Sequence, residues 1–227
     1  MIGVFDSGRG GENAARHLLK RAPTCDVLLF ADTENAPFGT KTPERLIGIL
    51  QNGISLLRSV GCERILLACC TMCTVLPWVK EEYKAGVAEI ITPTVNAAAK
   101  STKNGRVAVI ATERTVRSHA FSRGLNKYGV VAAELSAQPL VSIAERGFKE
   151  SDTDYLDSLS ESVRKTEADT LILGCTHFSS VAGELLARLQ GIRLIDSAYE
   201  GAKSISVVHK DAHGSGKLIK MQTIDYK

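Results

Sequence analysis

Two short apolar runs in this chain end in a cysteine, and they lie 106 residues apart: Leu66-Leu67-Ala68-Cys69-Cys70-Thr71-Met72-Cys73 and Leu171-Ile172-Leu173-Gly174-Cys175-Thr176-His177. The same shift of 106 places Asp6 on Thr112 and Leu66-Leu67-Ala68 on Ile172-Leu173-Gly174, and a shift of 105 pairs Ile90 with Ile195. A register held over four strands per half predicts an internal duplication. Similar lobes that face one another bring equivalent strand ends to one cleft. Cys69 and Cys175 are therefore expected opposite each other across a bound ligand, at the strand ends where open α/β sheets carry their chemistry.

Short β-rich runs alternate with longer helical patterns throughout, the signature of βα units around mainly parallel sheets. Strands are predicted over 2–5, 25–31, 64–68 and 87–91 in the first half, and over 107–111, 130–135, 171–174 and 192–195 in the second. Helical spacing covers 12–21, 71–84, 118–127 and 151–165. Thr42 and Pro43 read as the cap and first position of another helix, whose core face is Ile47, Leu50, Ile54 and Leu57. The polar, lysine-bearing stretch 96–105 reads as a linker, and 217–224 as a last strand. The expected fold is α/β, with two similar lobes, each a mainly parallel sheet flanked by helices, and the active site in the cleft between them. The first lobe is expected over residues 1–96 with 206–227, and the second over 97–205.

Composition excludes several classes. The 227 residues suffice for a full core, and 44% apolar with 23% charged is ordinary for a globular protein. A net charge of +3, with Lys203, Lys210, Lys217, Lys220 and Lys227 read as a solvated end, gives no nucleic-acid footprint. No apolar run approaches the roughly 20 residues of a membrane helix. The first strand begins at Ile2 without a basic leader, so a cytoplasmic location is expected, with all six cysteines reduced. Gly8-Arg9-Gly10-Gly11 lacks both the lysine-hydroxyl pair of a phosphate loop and the spacing of a dinucleotide fingerprint. Its expected role is to let backbone approach a carboxylate at a helix N-terminus. The Cys70–Cys73 pair has no second ligand pair for a metal and no thioredoxin-like surroundings, so Cys73 reads as a packed small residue. No cofactor and no metal are expected.

Two thiols flanking one carbon suit a two-base proton exchange: one thiolate takes a proton from one face while the opposite thiol delivers another. Here the motifs reach a family. Gly3-Val4-Phe5-Asp6-Ser7-Gly8, Pro37-Phe38-Gly39, Leu67-Ala68-Cys69-Cys70-Thr71 and Gly174-Cys175-Thr176-His177-Phe178, in this order, resemble glutamate racemase of the cofactor-independent aspartate/glutamate racemase superfamily. The similarity runs from residue 2 to about residue 200.

The resemblance implies interconversion of L- and D-glutamate, which in bacteria supplies peptidoglycan synthesis. It implies Cys69 and Cys175 as the acid/base thiols, with Asp6 and Ser7 contacting substrate, Asp6 holding the ammonium and assisting Cys69. Phe38 and Gly39 match an aromatic-glycine pair whose backbone binds the side-chain carboxylate. Thr71 and Thr176 would hold the α-carboxylate, His177 would assist Cys175, Glu145 matches an auxiliary acid, and Thr112 and Thr115 face the same cleft. Histidine at 177, where aspartate-directed relatives tend to carry an acid, favours glutamate.

Two positions depart from the family. Cys70 stands where asparagine normally donates to the substrate carboxylate, and a thiol is a weak donor. Phe38 stands where tyrosine is common. The alternatives are a racemase or isomerase for another acid such as aspartate, or a binding protein with little turnover. The resemblance implies that the strand at 217–224 returns to the first lobe, without the closing helix usual in the family. The expected partner is a small amino-acid substrate, with no nucleic acid or membrane, and the chain is compatible with a homodimer.

Overall fold

The computed structural model describes residues 1–206 and 214–222. Two parallel sheets form the frame. The first holds β1 (Ile2–Asp6), β2 (Val27–Ala31), β3 (Arg64–Leu67) and β4 (Val87–Glu89) in the order β4-β3-β1-β2. The second holds β5 (Arg106–Ala111), β6 (Val131–Ser136), β7 (Thr170–Gly174) and β8 (Arg193–Asp196) in the order β6-β5-β7-β8. Read from the other edge, the second order is that of the first, strand for strand. β9 (Leu218–Gln222) adds a parallel fifth strand beside β2. The rest of the stretch expected as this strand, Thr223 and Ile224, lies outside the described residues.

The helices, in chain order, are α1 (Gly10–Arg21), α2 (Pro43–Ser59), α3 (Cys70–Cys73), α4 (Glu81–Lys84), α5 (Ile91–Ser101), α6 (Glu113–Ser118), α7 (Ala120–Asn126), α8 (Gln138–Arg146), α9 (Thr153–Arg164), α10 (Ala182–Arg188) and α11 (Ser197–Ser206). Thr42 caps α2 by accepting from the Arg45 N–H at 3.3 Å, with Pro43 in the first turn. The buried face of α2 is Leu46, Ile49, Leu50, Ile54 and Leu57, and Ile47 lies at its edge, half-buried. Among the described residues no helix is long and apolar enough to cross a membrane.

Three expectations are corrected. The helix expected over 71–84 is broken into α3, a 3-10 turn at Leu76–Trp78 and α4, because Pro77 supplies no N–H and its ring cannot follow a preceding helical turn. The strand expected to reach Ile91 stops at Glu89, whose carboxylate accepts from the N–H groups of Ile91 (2.6 Å) and Thr92 (2.8 Å) and so starts a helix there. The stretch read as a linker is therefore helical as far as Ser101. α5 begins 106 residues before α11, so it is the counterpart of that helix in the first half.

Alternation on β5 shows how the core is shared. Val107, Val109 and Ala111 join the large apolar cluster that fills the first lobe, whereas Ala108 and Ile110 face a separate cluster under α8, α9 and α10. α5 lies on α7, β7 and β8, and α11 lies on α1, with the two helices also packed on each other. The helix that closes each half thus crosses to the opposite lobe.

Candidate active site

Pairing of Phe5 with Leu67, and of Ala111 with Gly174, aligns the carboxyl ends of β1 with β3 and of β5 with β7. Asp6, Cys69, Thr112 and Cys175 follow at those four ends. The two lobes bond directly across the cleft there. Thr176 Oγ1 donates to Asp6 Oδ2 at 3.0 Å, and Thr71 Oγ1 lies 2.9 Å from Thr112 Oγ1 and 3.3 Å from Thr115 Oγ1. Thr112 and Thr115 are themselves 2.9 Å apart, closing a buried triangle of three hydroxyls.

Cys69 is 8% exposed and opens α3. Burial pushes its thiol up to about 12, and the nearby Asp6 carboxylate pushes the same way. Against this, the backbone N–H groups of Met72 and Thr71 and the Ser7 hydroxyl favour the thiolate and pull the thiol down. Asp6 is fully buried and raised above the usual carboxylate range by burial, opposed by His177 and by donors from Gly8 N–H (2.9 Å) and Thr176. Within the glycine-rich stretch, the Gly8 N–H is thus taken up by the carboxylate of Asp6.

Cys175 is equally buried at 8%, and its thiol is pushed well above the ordinary range by burial and by the facing Cys69. The His177 backbone N–H pulls the thiol the other way, and His177 Nδ1 lies 3.6 Å from the sulfur. The other ring nitrogen, Nε2, is 3.2 Å from Glu145 Oε1 without the alignment of a hydrogen bond. This turn is gripped by the start of α1. A Cβ on Gly10 would sit 2.4 Å from Thr176 Oγ1 and 2.7 Å from His177 Nδ1, so only glycine permits the contact. Asn13 Nδ2 donates to the Thr176 carbonyl at 2.9 Å, and Arg9 Nη1 to the Glu145 carbonyl at 2.7 Å.

Cys70 is 2% exposed and donates to Ser197 Oγ at 3.5 Å, with Ser197 fully buried at the start of α11. Cys73 points back to the Leu67 carbonyl at 3.4 Å. Phe38 is buried edge-on to Phe5, with ring centroids 6.4 Å apart, so its side chain serves the core. Gly39 borders Gln138, whose Oε1 accepts from the Glu113 N–H at 3.3 Å. Asp6, Ser7, Cys69, Cys70, Thr71, Cys175, Thr176 and His177 thus gather at the facing strand ends, while Phe38 and Gly39 sit in a 3-10 turn beside α3. Asn13, Gln138 and Ser197 were not legible beforehand: each is a single polar residue in or at the start of a helix, and its contact is tertiary.

Paired thiols thus stand at the facing strand ends of two like sheets, and the comparisons give the class, a racemase. The family model described as Asp/Glu/Hydantoin racemase matches residues 14–205. The glutamate racemase of Aquifex aeolicus is 31% identical over 224 residues, covering 96% of this chain and 86% of its own. The solved glutamate racemase of Aquifex pyrophilus superposes with a TM-score of 0.81 at 28% identity, covering 100% of this chain and 90% of that one. The fold is also that of the Francisella tularensis glutamate racemase solved with D-glutamate, at TM-score 0.87 and 22% identity over 98% of this chain and 88% of that one. The chain belongs to the glutamate racemase family.

Proposed function

We propose that this protein interconverts L- and D-glutamate by exchanging protons between Cys69 and Cys175 on opposite faces of the α-carbon. The observation that carries the reading is the pair itself: two buried thiols at equivalent strand ends of facing sheets. Burial raises the basicity of a thiolate formed there, which suits a weakly acidic α-hydrogen. In one direction the Cys69 thiolate takes the α-proton as the Cys175 thiol delivers its own to the other face; in the reverse direction the roles exchange. Asp6 is placed beside Cys69 and His177 beside Cys175 to hold the corresponding protons.

Thr71, Thr112 and Thr115 bond to one another across the cleft, and the Thr112 hydroxyl also caps α6 by accepting from the Thr115 N–H at 3.4 Å, so the Thr71 and Thr115 hydroxyls can turn to a substrate carboxylate while that cap stays in place. Fixed donors around the α-carboxylate stabilise the carbanion best where water is excluded. The product would supply D-glutamate for peptidoglycan.

Incubation with L-glutamate or L-aspartate in deuterated water tests the reading. Deuterium should enter the α-position and the D-form of glutamate should appear. No exchange with either acid sinks the assignment, and exchange confined to aspartate changes the substrate. Cys69→Ser and Cys175→Ser should each reduce racemisation by 10²-fold or more, on the order of an acid/base group lost. Full activity in either refutes the two-thiol mechanism.

A further inference from the structure

We propose that Arg9 and Arg114 are a matched pair of positioning residues that latch the cleft shut, each lobe gripping the other once. Arg9 Nη1 of the first lobe donates to the Glu145 carbonyl at 2.7 Å, and Arg114 Nε of the second donates to the Lys41 carbonyl at 3.0 Å. The two bonds are equivalent under the duplication. A shift of 105 places Arg9 on Arg114, and one of 104 places Lys41 on Glu145. Each arginine is the third residue past its lobe's first strand, and each carbonyl follows the second strand of the opposite lobe. Each carbonyl also ends a helical turn: Glu145 is in the last turn of α8, and Lys41 closes the 3-10 turn Phe38–Thr40. Such terminal carbonyls lack a partner within their own turn, and a side chain from outside can supply the donor.

A substrate cannot reach the thiols in this form. Cys69, Cys175, Asp6, Thr71 and Thr176 are all buried, and the lobes bond directly to each other among them. Admission therefore requires the facing strand ends to part. α5 and α11, packed on each other and across the lobes, keep the two joined, so the movement is a limited parting rather than a separation. It breaks the Arg9 and Arg114 bonds together, because both run from one lobe to the other. The latches thus slow entry and exit of the substrate alike. The inference rests on the proposed racemase for what enters the cleft, but closure itself is tested without turnover.

Full-length Arg9→Gln, Arg114→Gln and the double variant are treated with iodoacetamide at one pH, and alkylation of the Cys69, Cys175 and Cys62 peptides is followed by mass spectrometry. Cys69 and Cys175 lie one on each lobe at the cleft, whereas Cys62 is fully buried in the core of the first and reports unfolding. Each single variant should speed Cys69 and Cys175 by the same factor, about threefold, on the order of one exposed charge-assisted bond. The double variant should speed both by about tenfold, since the two latches act on one opening, with Cys62 unmoved throughout. Unchanged rates, a rise confined to one of the cleft thiols, or a rise shared by Cys62 overturns the assignment. If the unaltered protein exchanges no α-proton, the racemase reading fails, while the alkylation rates still report on the latches.

Discussion

Thiols held protonated by burial make the stability of this protein depend on alkaline pH. Cys69 titrates at about 12 in the folded chain against 9.0 for an ordinary thiol, so the unfolded chain releases that proton first. Its contribution is intact below pH 9.0 and is lost as pH rises from there toward about 12. Within that window the slope is about 1.4 kcal/mol per pH unit from this group, and Cys70, Cys73 and Cys175 act in the same direction. Urea unfolding at pH 8.5, 9.5 and 10.5 should show the decline, and Cys69→Ser should flatten it by roughly one group's share. An identical slope in that variant would mean that the Cys69 proton is not held. Cys69 and Cys175 were legible because a fixed offset repeats them at strand ends. Asn13 was not: its bond to Thr176 spans 163 residues, and no local pattern encodes it.

Helix glycines separate local propensity from packing at the next scale. In α2, Gly48 has open space where a Cβ would go, so Gly48→Ala should raise stability by about 0.5–1 kcal/mol through propensity alone. In α11, a Cβ on Gly201 would lie 2.1 Å from Ile90 Cγ2 and 2.9 Å from its Cβ. There the same substitution should lower stability by about 1–3 kcal/mol, because overpacking outweighs propensity. Thermal unfolding of the two variants should therefore move Tm in opposite directions, and a gain at Gly201 would show that α11 is free to shift off Ile90. Contacts of this kind escape sequence reading, as the segment 96–105 shows. Its Asn96, Lys100 and Ser101 suggest a linker, although Val95 and Ala98 are buried on the face that α5 turns inward.

Across the whole molecule, the crossing of α5 and α11 joins the lobes more firmly than a hinge would. A fragment of residues 1–105 made alone would bare Ile91, Val95 and Ala98, which are at most 8% exposed in the intact chain. The complementary fragment would in turn leave the sheet surface under α5 uncovered. Neither should unfold cooperatively, whereas their mixture should recover a sigmoidal denaturant transition; a cooperative transition in either alone would refute the interlock. The crossing also bears on how such a plan can be assembled. A half-length chain of this design would have its last helix shaped for a neighbour's sheet, and two identical copies could complete themselves only by trading that helix. With both halves on one polypeptide the trade is intramolecular, so the cleft forms at any protein dilution and each lobe always finds its counterpart.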